Sequence, residues 1–413
     1  MPDPELYRHR LGLEAPWTVA NVELKVKEQR VDVWAEHSDS LWPCAECGKT
    51  LPLYDHAPER SWRHLDSCQF MTYLHARIPR VDCPEHGVRQ IRVPWAEPKS
   101  RFTILFERLA IDVLKEADVL GAARVLRISW DEAWHIIERA VARGQARKQK
   151  RSVRRIGVDE KSAAKGHDYL TIVCDLDEAT VEYIGDDRKQ DSLDPYFHQL
   201  TPEQRDAVEA VAMDMWEPYV RSVNAHLRGA AEKIVFDKFH IIRHLVEAVD
   251  RVRRREHRAQ AATGDSPLSG TKYLWLYSEE NLPEKHRDRF ESLRAADLKT
   301  ARAWALKEVL RALWGYGSRG WAARFFARWY FWATHSRLKP MIEVARMIKR
   351  HLANVLTYFT QRVTNAVSEG LNSKIQTIKK RAYGFRNREH FKLAIYFHCG
   401  GLDLYPATHV KPG

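Results

Sequence analysis

Cysteine is scarce in this chain. Six in 413 residues are too few and too scattered for a disulfide framework, so they are expected to be free thiols or metal ligands in a reducing cytosol. There is no run of 18 apolar residues, and residues 1–17 lack a charged-then-apolar leader pattern. Neither a membrane-spanning nor a secreted protein is therefore expected. Internal repeats and low-complexity tracts are absent as well. Acids are the minority charge: 55 Asp and Glu face 67 Lys and Arg, for a net charge of +12 and a pI near 9.3. Such an excess points to a polyanionic partner, nucleic acid or an acidic membrane surface, with a merely basic enzyme as the plain alternative. Apolar residues, at 44%, suffice for globular cores and for two to four domains.

Residues 1–100 alternate in the manner of strands. VELKV, VDVWAEH, MTYLHARI and VRQIRV each read as half-buried β segments. From Phe102 the period becomes helical, through FTILFERLAIDVL, ADVLGAARVL and, after a short RIS break, SWDEAWHIIERAV. Ser129 with Glu132 three residues on has the form of a capping box. Three helices with a tight turn before the third resemble a helix-turn-helix. RGQARKQKRSVRR, residues 143–155, follows with seven cations and no acid, either a segment that grips a phosphate backbone or a solvated linker. RIGVDE, HDYLTIVCDL and TVEYIG then read as three strands with KSAAKG and DEA as turns. After a helix near 203–207 come the strand AVEAVAMDM, the helix EPYVRSVNAHL and the strand EKIVFD. That order is an α/β mixed sheet. Beyond Phe239 the pattern is helical and rich in Trp and Arg as far as Tyr358.

Two features carry chemistry. Cys44-x-x-Cys47 and Cys83-x-x-His86 are matched pairs in Pro/Gly turns (WPCAECG, DCPEHG), and three sulfurs with one imidazole suit a structural tetrahedral zinc. Cys68 and His64 lie between the pairs and are substitute ligands without the turn context. The second feature is a set of acids. Asp159 is read as ending the first strand of the mixed sheet, Asp214 as ending VEAVAM, and Glu369 opens the helix AVSEGLNSKIQTIKKRAYG. Leu371, Ile375, Ile378 and Ala382 are expected to form that helix's buried stripe, with Glu369 nearly opposite. Strand carboxyl ends are where open α/β sheets bind ligands, and three oxygen ligands there would suit two magnesium ions facing a phosphate backbone. Glu160 is a rival for Asp159, Asp237 for Asp214, and capping is the plain role for Asp214. Gly370 is expected to leave room for a metal or DNA beside Glu369.

IGVDEKS, VAMDMWEPYV, KIVFDKFHIIRHL and NAVSEGLNSKIQTIKKRAYGFRN resemble the DDE transposases of the ISL-three insertion-sequence family. The paired knuckles, the helix-turn-helix and the block holding YLWLYSEENL and WALKEVLRALW fit the same family. The resemblance implies a multidomain α+β protein: a zinc-ribbon-like β module (1–100), a helix-turn-helix (101–145), a basic linker (146–155), an RNase H-like α/β catalytic core (156–240), an all-α insertion (241–360) and the rest of the core with the glutamate helix (361–413). It places the catalytic, metal-binding acids at Asp159, Asp214 and Glu369, with magnesium or manganese, beside one zinc at Cys44, Cys47, Cys83 and His86. Asp237–His240 matches a family stretch read as structural or DNA-adjacent. Implied partners are double-stranded DNA, as transposon ends and target, and a second copy of the chain in the DNA complex. No membrane and no nucleotide cofactor are implied, and the setting is the prokaryotic cytoplasm, on the nucleoid. Candidate DNA contacts are Arg124 and Arg127 (with His135), the linker residues Arg147, Lys148, Lys150 and Arg151, and Lys374, Lys379, Lys380, Arg381, Arg386 and Arg388. The competing expectation is a zinc and helix-turn-helix regulator whose RNase H-like domain does no chemistry.

Overall fold

The computed structural model describes residues 3–149, 151–164, 168–262, 264 and 267–407. The chain forms two compact units, residues 1–149 with 396–413 and residues 150–395. Among the described residues no helix is long and apolar enough to cross a membrane.

The first unit starts with helix α1 (Pro4–Leu11), followed by β1 (Trp17–Lys25), β2 (Arg30–His37), β3 (Leu41–Pro43), β4 (Thr50–His56), β5 (Arg60–Ser67), β6 (Phe70–Ala76), β7 (Pro79–Cys83) and β8 (Gly87–Gln90). These strands make two four-stranded sheets, ordered β1-β2-β6-β5 and β3-β4-β7-β8. One apolar cluster that includes Trp17, Val33, Trp62, Leu74 and Val81 fills the space under them. Helices α2 (Ile104–Glu116), α3 (Val119–Leu126) and α4 (Trp130–Arg147) follow. Thr103, Asp118 and Ser129 each cap a helix by accepting from the backbone N–H three residues on. The Ser129–Glu132 box is reciprocal, with bonds of 2.9 and 3.1 Å, as its spacing predicted. Arg127, in left-handed conformation at φ 55°, ends α3.

The chain after Tyr396 returns to this unit, although the sequence suggested that everything beyond residue 361 belongs with the sheet. The attachment is both apolar and polar: Leu404 is buried and Leu402 lies against Gly144 of α4. Arg147 bonds the Asp403 carboxylate and the Tyr405 carbonyl, and Lys115 donates to the Tyr405 hydroxyl at 2.9 Å.

The second unit holds a five-stranded sheet of β9 (Arg155–Ala164), β10 (Asp168–Asp175), β11 (Thr180–Asp186), β12 (Ala210–Met213) and β13 (Ile234–Phe236), ordered β11-β10-β9-β12-β13. The first three are antiparallel neighbours, whereas β12 runs parallel to both β9 and β13. Two sequence expectations change here. The KSAA stretch read as a turn continues β9, because Lys161 and Ser162 pair with Leu170 and Tyr169 of β10; backbone pairing overrides a polar composition. A helix at Gln190–Gln199 was not anticipated, its pattern being interrupted by Pro195. After β13 the described elements are helices, from Lys238–Ala261 to Arg388–Cys399. Their buried Trp275, Trp304, Trp314 and Trp329 share one cluster with Ile156, Val211 and Phe236 of the sheet, so these tryptophans are core.

Candidate functional sites: a thiolate cluster and an acidic strand edge

Cys44 follows β3 and Cys47 precedes β4, while Cys83 ends β7 and His86 precedes β8. The sheet β3-β4-β7-β8 thus brings the two knuckles together. Gly48 and Gly87, at φ 74° and 66°, give each knuckle the left-handed step that a Cβ disfavours. The ligand atoms of all four residues lie within 4.8 Å of one another; Cys47 and Cys83 sulfurs are 3.7 Å apart, and Cys83 Sγ is 3.4 Å from His86 Nδ1. A tetrahedron with bonds of about 2.3 Å has edges of about 3.8 Å, so the cluster has the dimensions and donor set of a zinc site. The His86 hydrogen bond brings the Cys83 thiol down to about 6 despite burial. The substitute ligands fall elsewhere. His64 is buried, bonded to Thr103 Oγ1 at 2.9 Å and pushed down to about 4 by desolvation; Cys68 is exposed.

The acids lie along one edge of the second unit's sheet. Asp159 does not end its strand, as the sequence had suggested, since β9 runs on to Ala164. It sits where the parallel pairing with β12 stops, at Ala212↔Gly157. Continuing that register puts Asp214 level with Asp159. On the other side Met213 pairs with Phe236, which puts Asp237 level with Asp214. Three acids therefore occupy one row at the carboxyl ends of β12 and β13 and in the middle of β9.

Asp159 Oδ1 accepts from the Glu160 N–H at 2.8 Å, and Oδ2 accepts from Asn372 Nδ2 at 2.6 Å. Burial pushes its carboxyl up to about 6, against that Glu160 bond and the His240 charge. Asp214 Oδ1 accepts from the Met215 N–H at 2.6 Å, and Trp216, which precedes the Glu217–His226 helix, provides no side-chain cap. Asp237 is buried and accepts from His240 Nδ1 at 2.9 Å. Burial works to lower the His240 imidazole, yet the Asp237 bond and the charges of Asp214 and Asp159 raise it to about 9. It is therefore a cation at neutral pH among the acids.

Glu369 lies in the first turn of the Ala366–Arg381 helix, close enough to Asp237 and His240 to feel their charges. Burial raises its carboxyl, as does Asp237, while His240 opposes the shift. The helix is fastened to β9 and β10: Ser368 Oγ lies 3.0 Å from Cys174 Sγ, Lys161 donates to the Asn372 carbonyl at 2.9 Å, and Lys379 to the Ser162 carbonyl at 3.0 Å. Among the described residues only the thiolate cluster gathers three or more ligating atoms all within 4.8 Å, so the acids are spread along an edge. In the sequence Asn372 reads only as a residue level with Glu369 on the face away from the apolar stripe, and Ser368 carries no signal beyond its place one residue before Glu369; the structure turns Asn372 onto Asp159.

Many candidate phosphate contacts are engaged within the fold. Arg127 bonds Asp66 and the Gln69 carbonyl, Lys148 the Gly400 carbonyl, and Arg151 the buried Asp175 at 2.7 Å. Arg388 bonds Asp168, Asp186 and the Tyr169 carbonyl. Lys150 lies outside the described residues. Arg124 and His135 are exposed on α3 and α4; Lys374, Lys380, Arg381 and Arg386 are exposed along and just after the glutamate helix.

Three family models match in succession. Residues 40–86 match a zinc-finger of transposases IS204/IS1001/IS1096/IS1165, residues 91–141 the helix-turn-helix domain of transposase family ISL3, and residues 156–395 the ISL3 transposase domain. Among curated proteins, the transposase for insertion sequence element IS1001 of Bordetella parapertussis is 28% identical over 88% of this chain and 90% of its own. The transposase for IS1557 of Mycobacterium tuberculosis is 27% identical over the whole of this chain and 99% of its own. With the zinc-finger and helix-turn-helix matched in front and the transposase model spanning more than half of its length, the chain belongs to the ISL3 family of DNA transposases.

Proposed function

We propose that the second unit is an RNase H-like catalytic domain, interrupted by an all-α insertion, in which Asp159, Asp214 and Glu369 hold two magnesium or manganese ions for DNA cleavage and strand transfer. The observation that carries this is the β9–β12 register, which ends at Ala212↔Gly157 and, carried on two residues, sets Asp214 level with Asp159, with the glutamate helix fastened to Asp159 of β9 through Asn372 and to Cys174 of β10 through Ser368. Carboxylate oxygens are the hard donors that such cations select. When bound, the ions would activate a water or a 3′-hydroxyl and stabilise the leaving oxygen of an in-line displacement.

The protein's own part is placement. The Glu160 amide and the Asn372 side chain each fix one oxygen of Asp159. The His240 cation reduces repulsion among acids whose company would otherwise cost free energy. Lys380 and Arg386 on the exposed side attract the phosphate backbone. A water would cut the transposon end and free a 3′-hydroxyl, which then attacks a target phosphodiester; the new bond keeps the energy of the broken one, so no nucleotide is consumed. Cys44, Cys47, Cys83 and His86 would hold a zinc with four protein ligands and so give it a structural role. The zinc module and helix-turn-helix would recognise the terminal repeats, and joining two ends calls for two copies of the chain.

Asp159→Asn, Asp214→Asn and Glu369→Gln are each expected to lower magnesium-dependent strand transfer at least about a hundredfold, roughly 3 kcal/mol of barrier, with end binding intact. Labelled ends and a plasmid target distinguish joining from simple hydrolysis. Undiminished transfer by any one variant removes that residue from the site. A wild-type chain that binds ends but neither cuts nor joins would favour the regulator.

A further inference from the structure

Asn372 lies nearly one turn beyond Glu369, and its side chain reaches Asp159. The two ends of its amide are in different circumstances. Nδ2 donates to Asp159 Oδ2 at 2.6 Å, so the orientation of the amide is dictated: turned over, it would set two acceptors face to face. Oδ1 is buried and has no hydrogen-bond partner among the described residues. A buried acceptor without a donor costs free energy and calls for an explanation. The backbone here leaves little slack, because Lys161 holds the Asn372 carbonyl at 2.9 Å and Lys379 reaches the Ser162 carbonyl at 3.0 Å. A bound group that carries a donor would satisfy it.

We propose that Asn372 is a positioning residue of the acidic site: it holds Asp159 through Nδ2 and offers Oδ1 to a water carried on the divalent cation that Asp159 binds. The proposal rests on the reading of Asp159 as a cation ligand. Glu369 and Asn372 are neighbours on the surface of one helix. The helix would thus bring a ligand and the orienting partner of a second ligand to the same place. Residues that orient metal ligands typically change metal affinity by about 10–100-fold when removed.

The test is a manganese titration of the full-length chain followed by water-proton relaxation, with thermal melting and end binding measured alongside. Asn372→Ala is expected to raise the half-saturating manganese concentration at least about tenfold while binding DNA ends like wild type. Asn372→Asp keeps an acceptor but replaces the donor to Asp159 with an acceptor, so it should fail to restore wild-type affinity. Both variants matching wild type in manganese affinity would overturn the proposal, and so would a melting temperature that falls with unaltered manganese response. Asp159→Asn separates the two layers. If it binds manganese and transfers strands as wild type does, the underlying reading fails; if it loses both while Asn372→Ala keeps both, only the role of Asn372 fails.

Discussion

A Cβ at Gly157 would lie 2.2 Å from Ser368 Oγ and 2.8 Å from both Cys174 Sγ and Leu176 Cδ2. The missing side chain is what lets the glutamate helix rest on β9 two residues from Asp159. Cys174, its thiol pushed up to about 11 by burial, packs there against Ser368. Gly157→Ala should therefore displace the helix, costing roughly 1–3 kcal/mol of stability and reducing strand transfer more than end binding. Melting curves and a transfer assay on the purified variant check this; unchanged stability would mean that Ser368 yields without moving its helix. A glycine inside a strand is a readable sign of close approach. What approaches it could not be read, because Ser368 is more than 200 residues further along the chain.

At the level of the element, the helix from Ala366 to Arg381 shows what apolar periodicity reveals and what it misses. Leu371 and Ile375 are buried as the pattern required, but Ile378 and Ala382 are only half-buried, and Ser368 is buried in their place. The contacting face is Ser368, Leu371, Asn372, Ile375 and Lys379, spaced at helical intervals with three polar members. A count of apolar residues cannot see a face whose ends are fastened by hydrogen bonds. The same limit explains β9, whose outer half is polar. The strands β10 and β12, buried on both faces, were plain in the sequence, as were the zinc knuckles, since both members of each pair sit in one turn. The row made by Asp159, Asp214 and Asp237 depends on register between strands, which no local pattern encodes. Gly370 separates two readings of this helix. Nothing lies within 4 Å of the Cβ it lacks, so Gly370→Ala should raise stability by about 0.5–1 kcal/mol through helix propensity alone. If DNA or a cation approaches there, strand transfer falls several-fold in the more stable variant. A raised melting temperature with undiminished transfer would take the substrate away from that face.

Over the whole molecule, the two units have separate apolar cores, and the thiolate cluster belongs to the first alone. The strands it joins, β3, β4, β7 and β8, are three to seven residues long, too short a sheet to be stable without a face to pack on or a staple. In the metal-free state the Cys83 sulfur, already inclined to ionise, faces two further sulfurs across the gap that a cation would fill. One zinc per chain is therefore expected by elemental analysis, lost in Cys44→Ser. Chelation should lower the melting temperature of the first unit and weaken binding to transposon ends, because the helix-turn-helix is held by the same unit. The second unit contributes no ligand to the cluster, so its melting transition should persist in chelator. A metal-free preparation with both transitions in place would show that the β module stands on its apolar cluster alone, and that the four ligands are spaced for a metal its stability does not require.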